Sequence, residues 1–277
     1  MNGKDWQDWH RSYDVPGSTL ARRLSAVQDR IRIALDSFAP GPVRVVSMCA
    51  GEGRDLLEVL ASHPRSVDVD AWLVELDPGN AARASASGLP GVSVFVGDAA
   101  RTDNYVGHVP ADLVLMCGVF GNVTDADIHA TVTAAPQFCA PGGLVVWTRH
   151  RRPPDLVPQV CQWYEEAGFE LVWVSDPSLD FGVGVHRFVG TPAPLVPGVR
   201  LFTFVGRCGR RDDVGAGQRG ADRLRAAERD VAGRVAGEDR QAVLRVGAQP
   251  GEVLGGDCTG GLGELVAVVV DVVCDHA

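Results

Sequence analysis

Apolar runs and amphipathic stretches alternate along most of this chain. The first run, 43–48 (VRVVSM), is β-branched with little polar alternation, the signature of a strand covered on both faces. It stops at Gly51 and Gly53, after which Leu56, Leu57 and Leu60 mark one face of a helix. Comparable apolar runs follow at 71–76 (AWLVEL), 92–96 (VSVFV) and 112–117 (DLVLMC), and as LVVWT after Pro141-Gly142-Gly143. Strand and helix lengths alternate to about position 175, as a parallel sheet requires. Two later runs, 169–174 (FELVWV) and 200–205 (RLFTFV), predict an antiparallel hairpin at the end of that sheet. Ahead of it, Leu20, Leu24, Val27, Ile31 and Leu35 have helical spacing. The expected fold is α/β: a doubly wound, mostly parallel, seven-stranded sheet with a C-terminal antiparallel hairpin.

Chemistry gathers where these strands end. Gly51 and Gly53 let backbone approach a ligand without an intervening Cβ, and the N–H groups opening the next helix would point at it. Glu75 stands at the tip of the second strand, just before Asp77-Pro78, where a carboxylate can accept from both hydroxyls of a ribose. The third strand runs into Gly97-Asp98-Ala99, whose carboxylate could accept from an exocyclic amine. The fourth leads through Cys117 and Gly118 to Phe120-Gly121-Asn122. Open α/β sheets bind ligands along this edge.

From about residue 43 to 207 the series resembles a class I S-adenosylmethionine-dependent methyltransferase, and it is similar to uncharacterised bacterial members of that family. The resemblance implies a Rossmann-like methyltransferase domain over 43–207, with 1–42 as an N-terminal cap. It further implies that Cys49, Ala50, Gly51 and Gly53 hold the methionine part of S-adenosyl-L-methionine. Glu75, three places before a proline, would bind the ribose in preference to Asp77. Asp98 would take the adenine amine, and the backbone at Ala99 the ring. Cys117, Gly118 and the residues up to Asn122 would border the methyl donor and the acceptor. Two positions depart from the pattern: Ser47 replaces the usual acidic residue on the first strand, and Cys49 replaces the first glycine. A side chain at 49 crowds the loop, so either its backbone keeps an ordinary negative φ or affinity suffers. Glu52, Arg54 and Asp55 add charges that could meet the cofactor's amino or carboxylate end, or simply form a solvated helix start.

The main competitor is an NAD(P)-binding Rossmann oxidoreductase. Its Gly-x-Gly-x-x-Gly fingerprint needs a glycine where this chain has Leu56, and no Ser/Tyr-x-x-x-Lys pair exists because the one lysine is Lys4. A non-catalytic protein that binds S-adenosylmethionine or a nucleotide stays open, since cofactor affinity and acceptor chemistry use different residues.

Composition narrows the setting. A chain of 277 residues with 45% apolar content suits one large α/β domain plus an extension. No apolar stretch of membrane length and no signal peptide are visible, so a cytoplasmic protein without membrane association is expected. The seven cysteines are scattered without zinc-ligand spacing, and no metal site is expected. A formal net charge of −9 disfavours nucleic acid as a partner, because duplex binding relies on clustered Lys and Arg. No Asn/Asp-Pro-Pro-Tyr motif follows the fourth strand, and no proline precedes Cys117, so neither base-methylating pattern is present. A small-molecule methyl acceptor is the expected partner. The cluster Arg149-His150-Arg151-Arg152 either holds an acidic acceptor or is a solvated loop.

Methyl transfer from a sulfonium needs alignment and exclusion of water, with a base only for acceptors that must lose a proton. His150 and His186 are the candidate bases, each with a structural role as the alternative. Trp6, Trp9, His10 and Tyr13 could line an acceptor pocket as a lid, or hold the terminus down. From 208 to 277 the chain has no Phe, Trp or Tyr and no sustained periodicity, which predicts a poorly ordered, low-complexity tail.

Overall fold

A computed structural model describes Tyr13, Val15 and residues 17–205. The expected tail and most of the aromatic N-terminal segment lie outside the described residues. Helix α1 (Thr19–Ser37) opens this region. The Ser18 side chain accepts from the Ala21 N–H at 3.0 Å, satisfying a donor that the first helical turn leaves without an internal partner. Its buried positions Val27, Ile31, Ala34 and Leu35 recur at the helical period.

There follow β1 (Val43–Met48), α2 (Arg54–Leu60), β2 (Val69–Glu75), α3 (Pro78–Ser85), β3 (Val92–Val96), β4 (Ala111–Met116), α4 (Asp125–Ala134), β5 (Cys139–His150), α5 (Val157–Glu166), β6 (Phe169–Val174) and β7 (Phe181–Phe188). The strands form one seven-stranded sheet in the order β3-β2-β1-β4-β5-β7-β6. Contacts among the first five strands are parallel, and β7 runs antiparallel to both β5 and β6.

Alternation of side chains splits the core in two. Val43, Val45, Leu113, Leu115, Leu144 and Val146 pack with the apolar stripes of α1 and α2. Val46, Met48, Val114, Met116, Val145 and Trp147 pack on the other face with Ile128 and Val132 of α4 and Val157, Val160 and Tyr164 of α5. Helices on both faces explain why the central strands lack polar alternation. Chain order reverses between β1 and β4, and there the carboxyl ends of the strands open a crevice.

The hairpin is corrected in one respect. Segment 169–174 is a strand as expected, but its partner is β7, with Phe169 opposite Phe188. Residues 201–205 join no strand. They strap across the carboxyl edge instead: the Thr102 N–H donates to the Val199 carbonyl at 3.0 Å, Leu201 to Ala100 at 2.8 Å, and Val205 to Asn122 at 2.8 Å. Strand β7 reads poorly because Gly182 and Gly184 weaken its strand propensity. Those glycines answer to packing. A Cβ on Gly184 would lie 2.4 Å from the Trp147 indole, and one on Gly182 would lie 2.3 Å from a Val157 methyl.

Candidate functional site

A cavity of about 510 Å³ occupies that crevice, a size suited to a small-molecule cofactor. Its floor comes from the residues that follow successive strands: Cys49, Ala50 and Gly51 after β1, Glu75 to Asp77 at β2, Asp98 and Ala99 after β3, Cys117 and Gly118 after β4, and Thr148 of β5. Arg23, Leu24 and Val27 of α1, with Tyr13 and Phe204, complete the wall.

The loop after β1 turns through left-handed backbone at Cys49 (φ 53), Gly51 (φ 59) and Gly53 (φ 72). Cys49 is the single non-glycine with positive φ among the described residues, so of the two alternatives for this position the ordinary negative φ is ruled out. Left-handed backbone costs an L-residue about 1–2 kcal/mol, which the surrounding hydrogen bonds must hold. Those bonds are present: Ala50 N–H donates to the Val74 carbonyl at 3.1 Å, and Gly53 N–H to the Ala50 carbonyl at 2.8 Å. Gly53 itself is buried at the start of α2 and does not line the cavity.

Glu75 is the keystone of this edge. One carboxylate oxygen accepts from the Gly51 N–H and the other from the Asp77 N–H, both at 2.8 Å, while the residue is only 8% exposed. The carboxylate is thus clamped between two strand-end loops. Asp98 is held likewise, Oδ1 accepting from the Ala100 N–H at 3.0 Å and Oδ2 from Arg200 Nη2 at 2.6 Å. Arg200 escaped the sequence reading because it reaches Asp98 from 102 residues away, a pairing with no local signal. At the rim, Glu52 bridges Arg54 at 2.8 Å and Arg83 at 2.7 Å.

Deeper groups are shifted by burial. Asp55 accepts from the Leu56 N–H at 2.9 Å, and desolvation pushes its carboxyl up to about 6, against smaller downward pulls from its backbone bonds, Cys117 and Arg23. The Cys49 thiol is raised by burial and then by the Glu75 and Asp98 carboxylates; Cys117 is raised by burial and by Asp55. Both are thiols at neutral pH. Thr148 Oγ1 accepts from the Gly118 N–H at 2.8 Å, which ties the post-β4 turn to β5.

Eight of the residues expected to contact a cofactor therefore line one cavity: Cys49, Ala50, Gly51, Glu75, Asp98, Ala99, Cys117 and Gly118. Neither histidine does. His150 is half-buried at the end of β5, near Gly121, and its Nδ1 accepts from the Arg152 N–H at 3.3 Å. Burial and the charges of Arg149 and Arg152 lower its pKa. His186, expected as a candidate base, is a core residue: it is 0% exposed, and its Nδ1 accepts from Trp147 Nε1 at 3.1 Å. Two arginines of the basic cluster have partners within the protein. Arg149 donates to the Phe120 carbonyl and reaches Asp125, whereas Arg151 pairs with Asp155 at 2.7 Å and donates to the Ser175 carbonyl at 3.0 Å.

Tyr13 and Arg23 were not foreseen as joint cavity residues. Arg23 Nη2 donates to the Tyr13 hydroxyl at 3.0 Å, and the Arg54 guanidinium lies 5.9 Å from the Tyr13 ring centroid. Among the described residues no group of three or more His, Cys, Asp or Glu could hold a metal ion. No described helix is long and apolar enough to cross a membrane. Leu56 is fully buried where a nicotinamide fingerprint needs its third glycine.

The sheet order, the antiparallel seventh strand and a crevice at the reversal point together define a class I methyltransferase fold. No family model matches the chain, and no curated protein matches it. Solved structures do. The CurJ carbon methyltransferase superposes with a TM-score of 0.52 at 15% identity over 67% of this chain, which spans only 59% of that protein. Magnesium protoporphyrin IX methyltransferase (ChlM) from Synechocystis PCC 6803, solved with S-adenosylmethionine bound, superposes with a TM-score of 0.51 at 9% identity over 68% of this chain and 92% of that one. At these identities the likeness is one of fold.

Proposed function

We propose that this chain is an S-adenosylmethionine-dependent methyltransferase acting on a small-molecule acceptor. The observation that carries the reading is the clamped pair of strand-end carboxylates, Glu75 and Asp98, in one cavity at the reversal point of the sheet. A carboxylate whose oxygens are oriented by backbone N–H groups presents its remaining lone pairs in a fixed direction, which suits the paired hydroxyls of a ribose. The donor set fits the cofactor: Glu75 would hold the ribose, Asp98 the adenine amine, and the Cys49–Gly51 turn the methionine arm. Cys117 and Gly118 would flank the methyl group.

The cofactor supplies a methyl on a sulfonium and leaves as a neutral thioether, so no acid is needed at the leaving group. This chain's residues then have to align the acceptor and keep water out. Leu24, Val27 and Phe204 provide apolar wall for that purpose. If the acceptor must lose a proton, His150 beside Gly121 is the histidine to carry it, because His186 is enclosed in the core. The cysteines at 49, 117, 139 and 161 are free thiols, which suits a reducing, cytoplasmic setting.

Calorimetric titration with S-adenosylhomocysteine tests the reading. Binding near micromolar Kd is expected, weakened about 100-fold or more in Glu75→Ala, which loses charge-assisted bonds to both hydroxyls and the loop clamp. A folded protein that binds no S-adenosylhomocysteine overturns it.

A further inference from the structure

Glu75 and Asp98 are held in different ways. Both Glu75 oxygens accept from backbone N–H groups of the strand-end loops, at Gly51 and Asp77. Asp98 has one such bond, from the Ala100 N–H to Oδ1, while the Asn104 amide donates to its main-chain carbonyl at 2.8 Å. The other carboxylate oxygen, Oδ2, is held by Arg200 Nη2, 102 residues further along the chain. A carboxylate anchored at one oxygen can still swing about that bond; a second anchor fixes its plane and the direction of its remaining lone pairs. Arg200 does not itself line the cavity, whereas Asp98 does, so the guanidinium acts on that end of the site through Asp98.

The strap that carries Arg200 is held by other contacts. Arg200 stands opposite Arg101 in an isolated antiparallel bridge, beside the turn at Asp98 to Ala100. On one side of it the Val199 N–H donates to Thr102 Oγ1 and the Gly198 N–H to Asp103 Oδ1, both at 3.0 Å. On the other, the Thr203 N–H donates to Asp127 Oδ2 at 3.3 Å, and Leu201 and Phe202 are each only 2% exposed. The Arg200 guanidinium meets the Phe202 carbonyl through Nη1 at 3.4 Å and Asp98 through Nη2. Shortening its side chain therefore removes a hold on Asp98 without releasing the strap.

We propose that Arg200 is a positioning residue for base recognition: through Asp98 it sets the selectivity of the cavity for a 6-aminopurine over a 6-oxopurine. The inference rests on the methyltransferase reading. A 6-amino group donates and the ring nitrogen beside it accepts, which suits the Asp98 carboxylate and the backbone at Ala99; a 6-oxopurine reverses both. A fixed carboxylate rejects the reversed pattern, because a carbonyl oxygen set against it leaves two acceptors without a donor. A carboxylate free to turn rejects it less. The Arg200 and Asp98 side chains are 45% and 35% exposed, so solvent screens the pair and its removal changes selectivity moderately rather than abolishing binding.

Calorimetry with S-adenosylhomocysteine and S-inosylhomocysteine, which differ only in that exchange on the base, tests the role. The wild-type protein is expected to prefer the first by about 100-fold or more. Arg200→Met should lower that preference roughly fivefold, by weakening S-adenosylhomocysteine while S-inosylhomocysteine stays within about twofold. Arg200→Lys, which keeps the charge and a donor, should recover most of the preference. In an Asp98→Ala protein the Arg200→Met change should move neither Kd by more than about twofold, since the group it acts through is gone. If Arg200→Met does not fold, Arg200→Gln is read in the same way. Equal binding of the two compounds by the wild-type protein, or an Arg200 variant that weakens both alike or neither, overturns the positioning role and leaves the methyltransferase reading intact; a folded wild-type protein that binds neither compound overturns both.

Discussion

His186 shows how a single residue changes meaning between sequence and structure. It lies on β7 with its ring 4.6 Å from that of Tyr164, its Nδ1 engaged by Trp147, and no partner at Nε2 among the described residues. Because Nδ1 accepts a hydrogen bond, the neutral ring carries its proton on Nε2. Burial lowers the pKa to about 4, against an ordinary value of 6.5. The folded protein therefore binds this proton less readily than the unfolded chain does. The associated stability is complete above pH 6.5 and is lost as the pH falls toward 4. His186→Gln, whose side-chain oxygen can still accept from Trp147, should flatten that loss. Urea midpoints at pH 7.5 and pH 5.0 check it: equal losses for wild type and variant would show that the acid sensitivity originates elsewhere. Cys49 makes the complementary point. The sequence showed a missing glycine, but only the backbone revealed that the cysteine adopts the glycine's left-handed conformation.

Among the elements, the carboxyl end of α1 depends on one arginine. Arg65, from the 3-10 turn at Pro64–Asp68, donates to the carbonyls of Leu35, Phe38, Ala39 and Gly41 and pairs with Asp68 at 3.0 Å. Leu35 lies in the last turn of α1, Phe38 is its C-cap, and Ala39 and Gly41 belong to the chain leaving it, so the guanidinium caps the helix end and pins the exit segment. Arg65→Ala is expected to cost about 2–3 kcal/mol and to lower Tm by roughly 5–10 °C. The control is Arg32→Ala, which breaks an exposed pair with Asp29 worth no more than about 0.5 kcal/mol. Similar melting points for the two variants would refute the capping role. Strands β1 to β5 were legible because a buried parallel strand writes itself locally as a β-branched run closed by glycine. Strand β7 was not, since its glycines exist to admit Trp147 and Val157, contacts made across the sheet.

The described residues already contain a sheet covered on both faces and the strand-end floor of the cavity. Deleting residues 206–277, which the sequence reads as a low-complexity tail, should therefore leave Tm within about 2 °C and S-adenosylhomocysteine affinity within about twofold, because both core clusters described above are built from residues before 206. Thermal melts and calorimetry of the shortened chain decide this, and a chain that no longer folds would overturn it. By itself the sequence determined the strand series, the glycine turn after β1 and the carboxylates at 75 and 98. Each is a local fact, since burial period, turn chemistry and strand-end position are set by neighbours a few residues away. Only the tertiary structure decided that β6 pairs with β7, that Arg200 engages Asp98, that His186 belongs to the core, and that Tyr13 and Arg23 share a cavity with Asp55. Those outcomes depend on which surfaces meet after the chain has wound onto both faces of its sheet, and sequence spacing carries no trace of such distant encounters.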